Sequence, residues 1–518
     1  MGRDSEKTGK RAAGPWLDRN RWLLFLITLI LFTPFAFLSV DLHHAGVMLK
    51  PAMDVADGMV IFRDSFNQYG FLTSFIQAAA VKLFGGEVLV INLLTVVFYG
   101  LCAVELDRFW SRFLSTPFRW LMMGLFWGMA PFYLVPMHPW SSVYALYFML
   151  LGGTLMVRYL DSGSLKLLFG SGVAAGLAFG CRQPCGFVMI IAAVMTLALE
   201  GWTRRSSTRV LLRKGGAWAA GALVVPVFLA VYLTVYGAWP DYLKQCFVFV
   251  SRFGWTRGGS GSLDSILVSF FPPEGFLVFP LVSLGLFFYA CTMLYQRREV
   301  RLYLPLAAAV LVGLASWHQF YPVPCIRHLY WGSVPMMGVL AFLAERTWRS
   351  GRRRAARIAV LVLLLLLPGL AIGYRMFGGT MRLIYISERE RAEIPGMRGM
   401  LMFPWELNYF RNAGKALDRV PPQFRNRYYL NMTEHALFCR FFPERPAVHP
   451  MFVDWGDAVY PDYNTFMMEF VRENRPVVLS KKPEPFPGYR PVGAFPLAYG
   501  RKHKAPPECG TAQAHRPR

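Results

Sequence analysis

The 518-residue chain is 55% hydrophobic and 16% aromatic but only 17% charged, with a formal net charge of +24. A soluble domain of average composition carries about a quarter charged residues, and the apolar residues here fall in long runs, which argues against an ordinary soluble enzyme. The basic excess sits in short clusters between those runs, as at Arg204-Arg205, Arg297-Arg298 and Arg352-Arg353-Arg354. That is the positive-inside pattern of a polytopic membrane protein. No basic stripe coincides with a nucleic-acid motif, so no nucleic-acid partner is expected.

In chain order, Lys7, Lys10, Arg11, Arg19 and Arg21 precede the first apolar run, Trp22–Val40. The run is long enough to cross a bilayer core, and no small-residue cleavage site follows it, so it reads as an uncleaved signal anchor. About eleven spans are predicted, near 22–40, 87–106, 120–136, 140–157, 167–181, 185–200, 216–236, 275–295, 302–317, 328–345 and 357–374. The fifth and sixth admit a second reading, one interrupted re-entrant pair around Arg182-Gln183-Pro184. With the N-terminus inside, the inner segments hold 25 Lys and Arg against 8 in the outer loops before residue 375. That asymmetry sets the orientation.

The first outer loop, 41–86, contains an amphipathic stretch, Gly46–Gly58, and an interfacial helix predicted at Phe71–Phe84. The loop 237–274 interleaves Trp239, Phe247, Phe249, Phe253 and Trp255 with Arg252 and Arg257, then runs into Gly258–Ser262, a flexible stretch suited to gating a site. After the last span the composition turns to Pro, charge and aromatics. A helix is predicted over Thr465–Glu473 and a short buried strand over Pro476–Ser480. Three parts follow: a cytoplasmic segment 1–21, a membrane module 22–375, and a small α+β domain 376–518 on the outer face. The eight cysteines form no CxxC and no metal-like spacing. Cys102, Cys181, Cys185 and Cys291 read as small core residues. A Cys439–Cys509 pair stays open.

Four constellations on the predicted outer face carry chemistry. The first is Asp41-Leu42-His43-His44, followed in the same loop by Asp54, Asp57, Arg63, Asp64 and Tyr69. A carboxylate at the membrane surface can take a proton from an acceptor or hold a metal. The plainer alternative is that Asp41 caps the next helix. A divalent metal at the histidines is left open. The second is Arg182-Gln183-Pro184, an arginine at a proline break, suited to a phosphate or to snorkelling toward headgroups. The third is Trp317–Trp331, which packs His318, Gln319, Tyr321, Arg327 and His328 among aromatics. Arg327 suits bidentate phosphate binding, and the alternative is an interfacial aromatic belt. The fourth is His138, in the turn Pro136-Met137-His138-Pro139, an ordinary loop histidine unless the others join it.

Three stretches resemble the GT-C glycosyltransferases, the membrane superfamily that holds the protein O-mannosyltransferases and aminoarabinose transferases. They are Asp41–Gly46 continuing to Gly58–Gly70, the glycine-rich hairpin Gly176–Gly186, and Gln319–Trp331. The likeness spans roughly residues 20–375. It implies a polytopic α-helical, GT-C-like membrane protein with a small C-terminal α+β extracytoplasmic domain, in a bacterial-type inner membrane. It implies a polyprenyl-phosphate sugar as donor, a lipid, glycan or protein as acceptor, and Asp41 as general base with His43 and His44 beside it. Arg182 and Arg327 would meet the donor phosphate. Arg63, Asp64, Tyr69, His138, Gln183, His318, Gln319, Tyr321 and His328 would line the donor site. The chain departs from the pattern in carrying His43-His44 where a second acid often lies, and His138 in the second outer loop, which leaves a metal requirement open. The competing reading is a transporter or flippase for a lipid-linked envelope precursor.

Overall fold

The computed structural model describes residues 15–41, 43–133, 136–248, 278–320, 326–350, 388–422, 429–432 and 463–480, with a few isolated positions besides. In chain order the helices are α1 (Pro15–Arg19), α2 (Trp22–Phe37), α3 (His44–Ala56), α4 (Phe71–Phe84), α5 (Val88–Trp110), α6 (Thr116–Tyr133), α7 (Ser141–Ser162), α8 (Leu165–Cys181), α9 (Gln183–Arg204), α10 (Thr208–Val235) and α11 (Trp239–Leu243). They continue with α12 (Val278–Tyr295), α13 (Val300–Ser316), α14 (Ile326–Ser333), α15 (Met337–Arg349), α16 (Pro404–Asp418) and α17 (Tyr463–Asn474). Among the described residues, six helical stretches are long and apolar enough to cross a membrane: α5, α7, α9, α10, α12 and Val300–Gln319. Helices α2, α4 and α8 are apolar but shorter. Ten of the expected spans coincide with helix, one of them broken at Val334–Met336 between α14 and α15. The expected span 357–374 lies almost wholly outside the described residues, as do Cys439, Cys509 and the Gly258–Ser262 stretch.

Residues 41–86 form the two helices their pattern predicts. Helix α3 covers most of Gly46–Gly58, and α4 spans Phe71–Phe84. Gly85, at φ 96°, ends α4 in a backbone conformation that side chains resist. The bundle itself closes on small residues. A Cβ at Gly172 of α8 would lie 2.1 Å from the Trp218 carbonyl oxygen of α10, and one at Gly221 of α10 would lie 2.1 Å from that of Phe169. The two backbones touch because neither residue has a side chain, the means by which helices pack where the hydrophobic effect is absent.

Helices α8 and α9 are separate elements. Arg182 between them is extended, at φ −152° and ψ 109°, and Pro184 sits in the first turn of α9, where its missing N–H costs nothing. Beyond residue 387, β1 (Glu390–Arg391) pairs antiparallel with β2 (Leu401–Met402). The predicted strand near Pro476–Ser480 appears as β4 (Val477–Ser480), parallel to β3 (Tyr429–Met432), and α17 precedes it.

Candidate functional site

Asp41 leaves α2 and starts α3. Its Oδ1 accepts the backbone N–H groups of His43 at 3.1 Å and His44 at 2.8 Å. Its Oδ2 faces His44 Nδ1 at 2.9 Å and His138 Nε2 at 3.2 Å. Capping and site chemistry are therefore not alternatives, because each uses a different oxygen. The loop before α7 delivers His138, whose Nδ1 stands 2.8 Å from the Pro136 carbonyl. A carbonyl only accepts, so Nδ1 carries the proton and Nε2 presents a lone pair to Asp41.

The electrostatics sharpen this. Burial, then the nearby Arg327 guanidinium, push His138 down to about 4, so the ring is neutral at pH 7. Burial alone would raise the Asp41 carboxyl. His44, the largest opposing influence, outweighs it and holds the group well below the usual carboxylate range. A carboxylate oxygen and an imidazole lone pair thus face each other at 3.2 Å. A shared proton or a cation relieves that opposition. The ligand atoms of Asp41, His44 and His138 all lie within 4.8 Å of one another. His44 Nδ1 and His138 Nε2 are buried and not aligned for a hydrogen bond. Two imidazoles and a carboxylate, one imidazole braced through its other nitrogen by a carbonyl, suit a divalent transition metal. The donor set fits.

An aromatic wall adjoins this group. Trp140 meets His44 edge-on at 4.9 Å, and Tyr69 meets Trp140 in the same way at 4.9 Å. The Arg182 guanidinium lies 5.9 Å from the Tyr69 ring centre and donates to Ser142 Oγ. Close contact fixes the Tyr69 loop to the end of α8. Gly70 N–H donates to the Cys181 carbonyl at 3.2 Å, and a Cβ at Gly70 would lie 2.0 Å from the Gly180 oxygen. His318 Nδ1 donates to the Ala315 carbonyl at 2.9 Å, leaving Nε2 to accept from the Cys185 thiol at 4.0 Å. His328 packs 5.5 Å from Trp331. Gln183 and Gln319 are both buried, Gln319 completely.

This end of the bundle is short of partners. Trp140 Nε1, Ser141 Oγ, Gln319 Oε1 and Arg327 Nε are buried without a hydrogen bond, in addition to the two imidazole nitrogens. Each such atom costs about 1–3 kcal/mol. Clusters of them persist where a ligand completes the bonding.

Most of the residues singled out from sequence thus gather around Asp41 from the first loop, the second loop, the α8–α9 break and the stretch after α13. Arg63 and Asp64 are engaged elsewhere. Arg63 Nε and Nη2 bind Asp64 at 2.8 and 2.9 Å, and Nη1 donates to the Tyr236 carbonyl at 3.2 Å. Asp64 also accepts the Val60 N–H at 2.9 Å. They staple the loop to the end of α10. Tyr321 lies outside the described residues. Sequence reasoning missed Trp140, Ser142 and Cys185. Trp140 had a signal, an aromatic two residues after the loop histidine. Cys185 looked like any small core residue.

Among solved structures, the chain is similar to ArnT from Cupriavidus metallidurans bound to undecaprenyl phosphate, with a TM-score of 0.51 and 14% identity over 89% of this chain and 91% of that one. ArnT in the apo state gives 0.40 at 15% identity over 89% of each chain. An Archaeoglobus fulgidus oligosaccharyltransferase, in complex with Zn and sulfate, gives 0.47 at 9% identity over 82% of this chain and 62% of that one. The first likeness shows the fold: the chain shares the arrangement of ArnT, and its long apolar helices are those of a multi-pass membrane protein. No sequence-family model and no curated protein matches the chain.

Proposed function

We propose that this protein is a glycosyltransferase that moves a sugar from a polyprenyl-phosphate donor to a lipid, glycan or protein acceptor on the outer face of a bacterial inner membrane. The observation that carries the reading is the convergence of Asp41, His138, Arg182, His318 and Arg327 on one end of the bundle, amid buried polar atoms that lack partners. The undecaprenyl phosphate bound by ArnT, which has the same fold, supports a donor of that class. The reading keeps the N-terminus inside, about eleven spans over 22–375, and 376–518 outside.

In the reaction, an acceptor hydroxyl oxygen attacks C1 of the sugar from the face opposite the phosphate. The C1–O bond to phosphate breaks and polyprenyl phosphate leaves, with inversion at C1. Asp41 is ionised at neutral pH and takes the hydroxyl proton. Arg182 and Arg327 stabilise the charge growing on the phosphate. Tyr69 and Trp140 form the wall against which a sugar ring stacks. A divalent metal held by Asp41, His44 and His138 would supply further charge neutralisation at the leaving phosphate.

The test is to incubate the purified protein with a panel of polyprenyl-phosphate sugars and native membranes, and to measure release of polyprenyl phosphate. Release from one donor supports the reading and names the sugar. Movement of a lipid-linked sugar across vesicles without release would favour the flippase reading instead.

A further inference from the structure

Ser39 has a left-handed backbone, with φ 56°. A non-glycine residue there is uphill and persists only when its surroundings hold it. Ser39 sits at the exit of α2, one residue short of Val40-Asp41, and the turn it makes carries the chain from the span to the site. Its restraints come from a distant part of the sequence. The Ser39 N–H donates to the Leu401 carbonyl at 2.8 Å, and Ser39 Oγ donates to Glu406 Oε1 at 2.8 Å. Leu38 and Leu401 form a parallel bridge. Glu406 is only 4% exposed, and its Oε2 accepts the Phe403 N–H at 2.9 Å. The same segment also grips the start of α5, where Val88 N–H donates to the Gly396 carbonyl at 2.8 Å and Arg398 N–H donates to Glu87 at 3.1 Å.

We propose that Glu406 is a positioning residue for the reaction: with the Leu401 carbonyl it locks Ser39 in its left-handed turn and thereby fixes Asp41 against His44 and His138. The inference rests on the glycosyltransferase reading for its effect on turnover, but not for the lock itself. A carboxylate is needed at 406 because two donors converge on it from opposite sides, one from the turn and one from the start of α16. The segment after the membrane module is then part of the catalytic apparatus. Removing Glu406 frees Ser39 to relax out of its turn, and Asp41 drifts from the α3 N–H groups it caps.

The test pairs hydrogen exchange with kinetics on the full chain in nanodiscs. In Glu406→Ala, backbone exchange over residues 38–46 rises about tenfold or more while the rest of the bundle is unchanged. With a donor that the wild type uses, kcat falls at least about tenfold and KM stays within about twofold. Adding Ser39→Gly to Glu406→Ala recovers part of both, since glycine adopts the left-handed turn without strain. Glu406→Gln, which keeps one good acceptor oxygen, gives an intermediate result and serves if the alanine variant does not fold. Unchanged exchange over 38–46 in either variant overturns the lock. So does a rise that Ser39→Gly does nothing to reverse, which would mark general loosening. If exchange behaves as stated while the wild type releases no polyprenyl phosphate from any donor, the lock stands and the glycosyltransferase reading falls.

Discussion

The two ends of the helix bundle hold buried polarity differently. At the basic end, Arg119 is fully buried and binds Asp107 at 2.7 and 2.5 Å, with Asp18 3.0 Å away. Arg21 joins the same pair of carboxylates at 2.9 and 2.6 Å. Glu200, also fully buried, takes the Tyr159 hydroxyl at 2.7 Å, Lys214 at 2.9 Å and Arg204 at 3.2 Å. Glu345 takes Arg349 at 2.7 Å and the Ser115 N–H at 2.9 Å. Single atoms at this end still lack a hydrogen-bond partner, Arg119 Nη1 and Glu105 Oε2 among them, but around Asp41 such atoms gather on Trp140, Ser141, Gln319 and Arg327 together with the two imidazoles. Charges that must be buried for architecture are paired within the chain. A cluster of unpaired polar groups drawn from several segments is held ready for something outside it.

That contrast can be broken by mutation, and the largest expected effect is at Asp41. Asp41→Asn keeps an oxygen for the α3 N–H groups but loses the base, so turnover falls about 10²–10⁴-fold while the unfolding temperature stays near wild type. Assay and thermal scan on one preparation decide it. Next, Arg327→Ala lowers kcat about 10²–10³-fold with little loss of stability. Arg119→Met does the reverse. It leaves Asp107 buried short of a partner and costs about 3–5 kcal/mol, while turnover per folded molecule is retained. Equal losses of activity in the two would erase the distinction between the ends.

A smaller effect follows from His138. Its folded value of about 4 lies below the ordinary 6.5. The unfolded ring therefore binds its proton first as pH falls. The stability it contributes is full above pH 6.5 and is lost as pH drops from there toward 4. In metal-free buffer, His138→Gln flattens the unfolding-temperature profile across that window, and an unchanged slope would show that the ring is not held neutral. The smallest effect is at Arg63, whose pairing with exposed Asp64 staples a loop. Arg63→Ala changes turnover by no more than about twofold.

The difference between the ends also explains what the sequence revealed. Spans and the helix at Phe71–Phe84 were legible because apolar periodicity is local. Asp41, His138, Arg182 and Arg327 stood out as candidates because polar side chains at the ends of apolar runs are conspicuous and the predicted sidedness groups them. Arg63 and Asp64 look the same in sequence, yet adjacent opposite charges satisfied one another and took both out of the site. The Ser39–Glu406 contact joins residues 367 apart. It depends on a backbone angle that no composition or spacing discloses. Trp140 stood beside a residue already singled out, and its ring counted only once the first loop packed against the second.

The most direct measurement is thermal unfolding of three proteins with and without saturating polyprenyl phosphate: the wild type, Arg119→Met, and the double variant Arg182→Ala/Arg327→Ala. A ligand that binds the folded state alone at about 100 times its Kd adds about 2.7 kcal/mol. The wild type and Arg119→Met should both gain a stabilisation of that order, whatever their starting stability, and the double variant should gain almost none. Equal stabilisation of all three would contradict the assignment of the Asp41 end as the lipid-phosphate site.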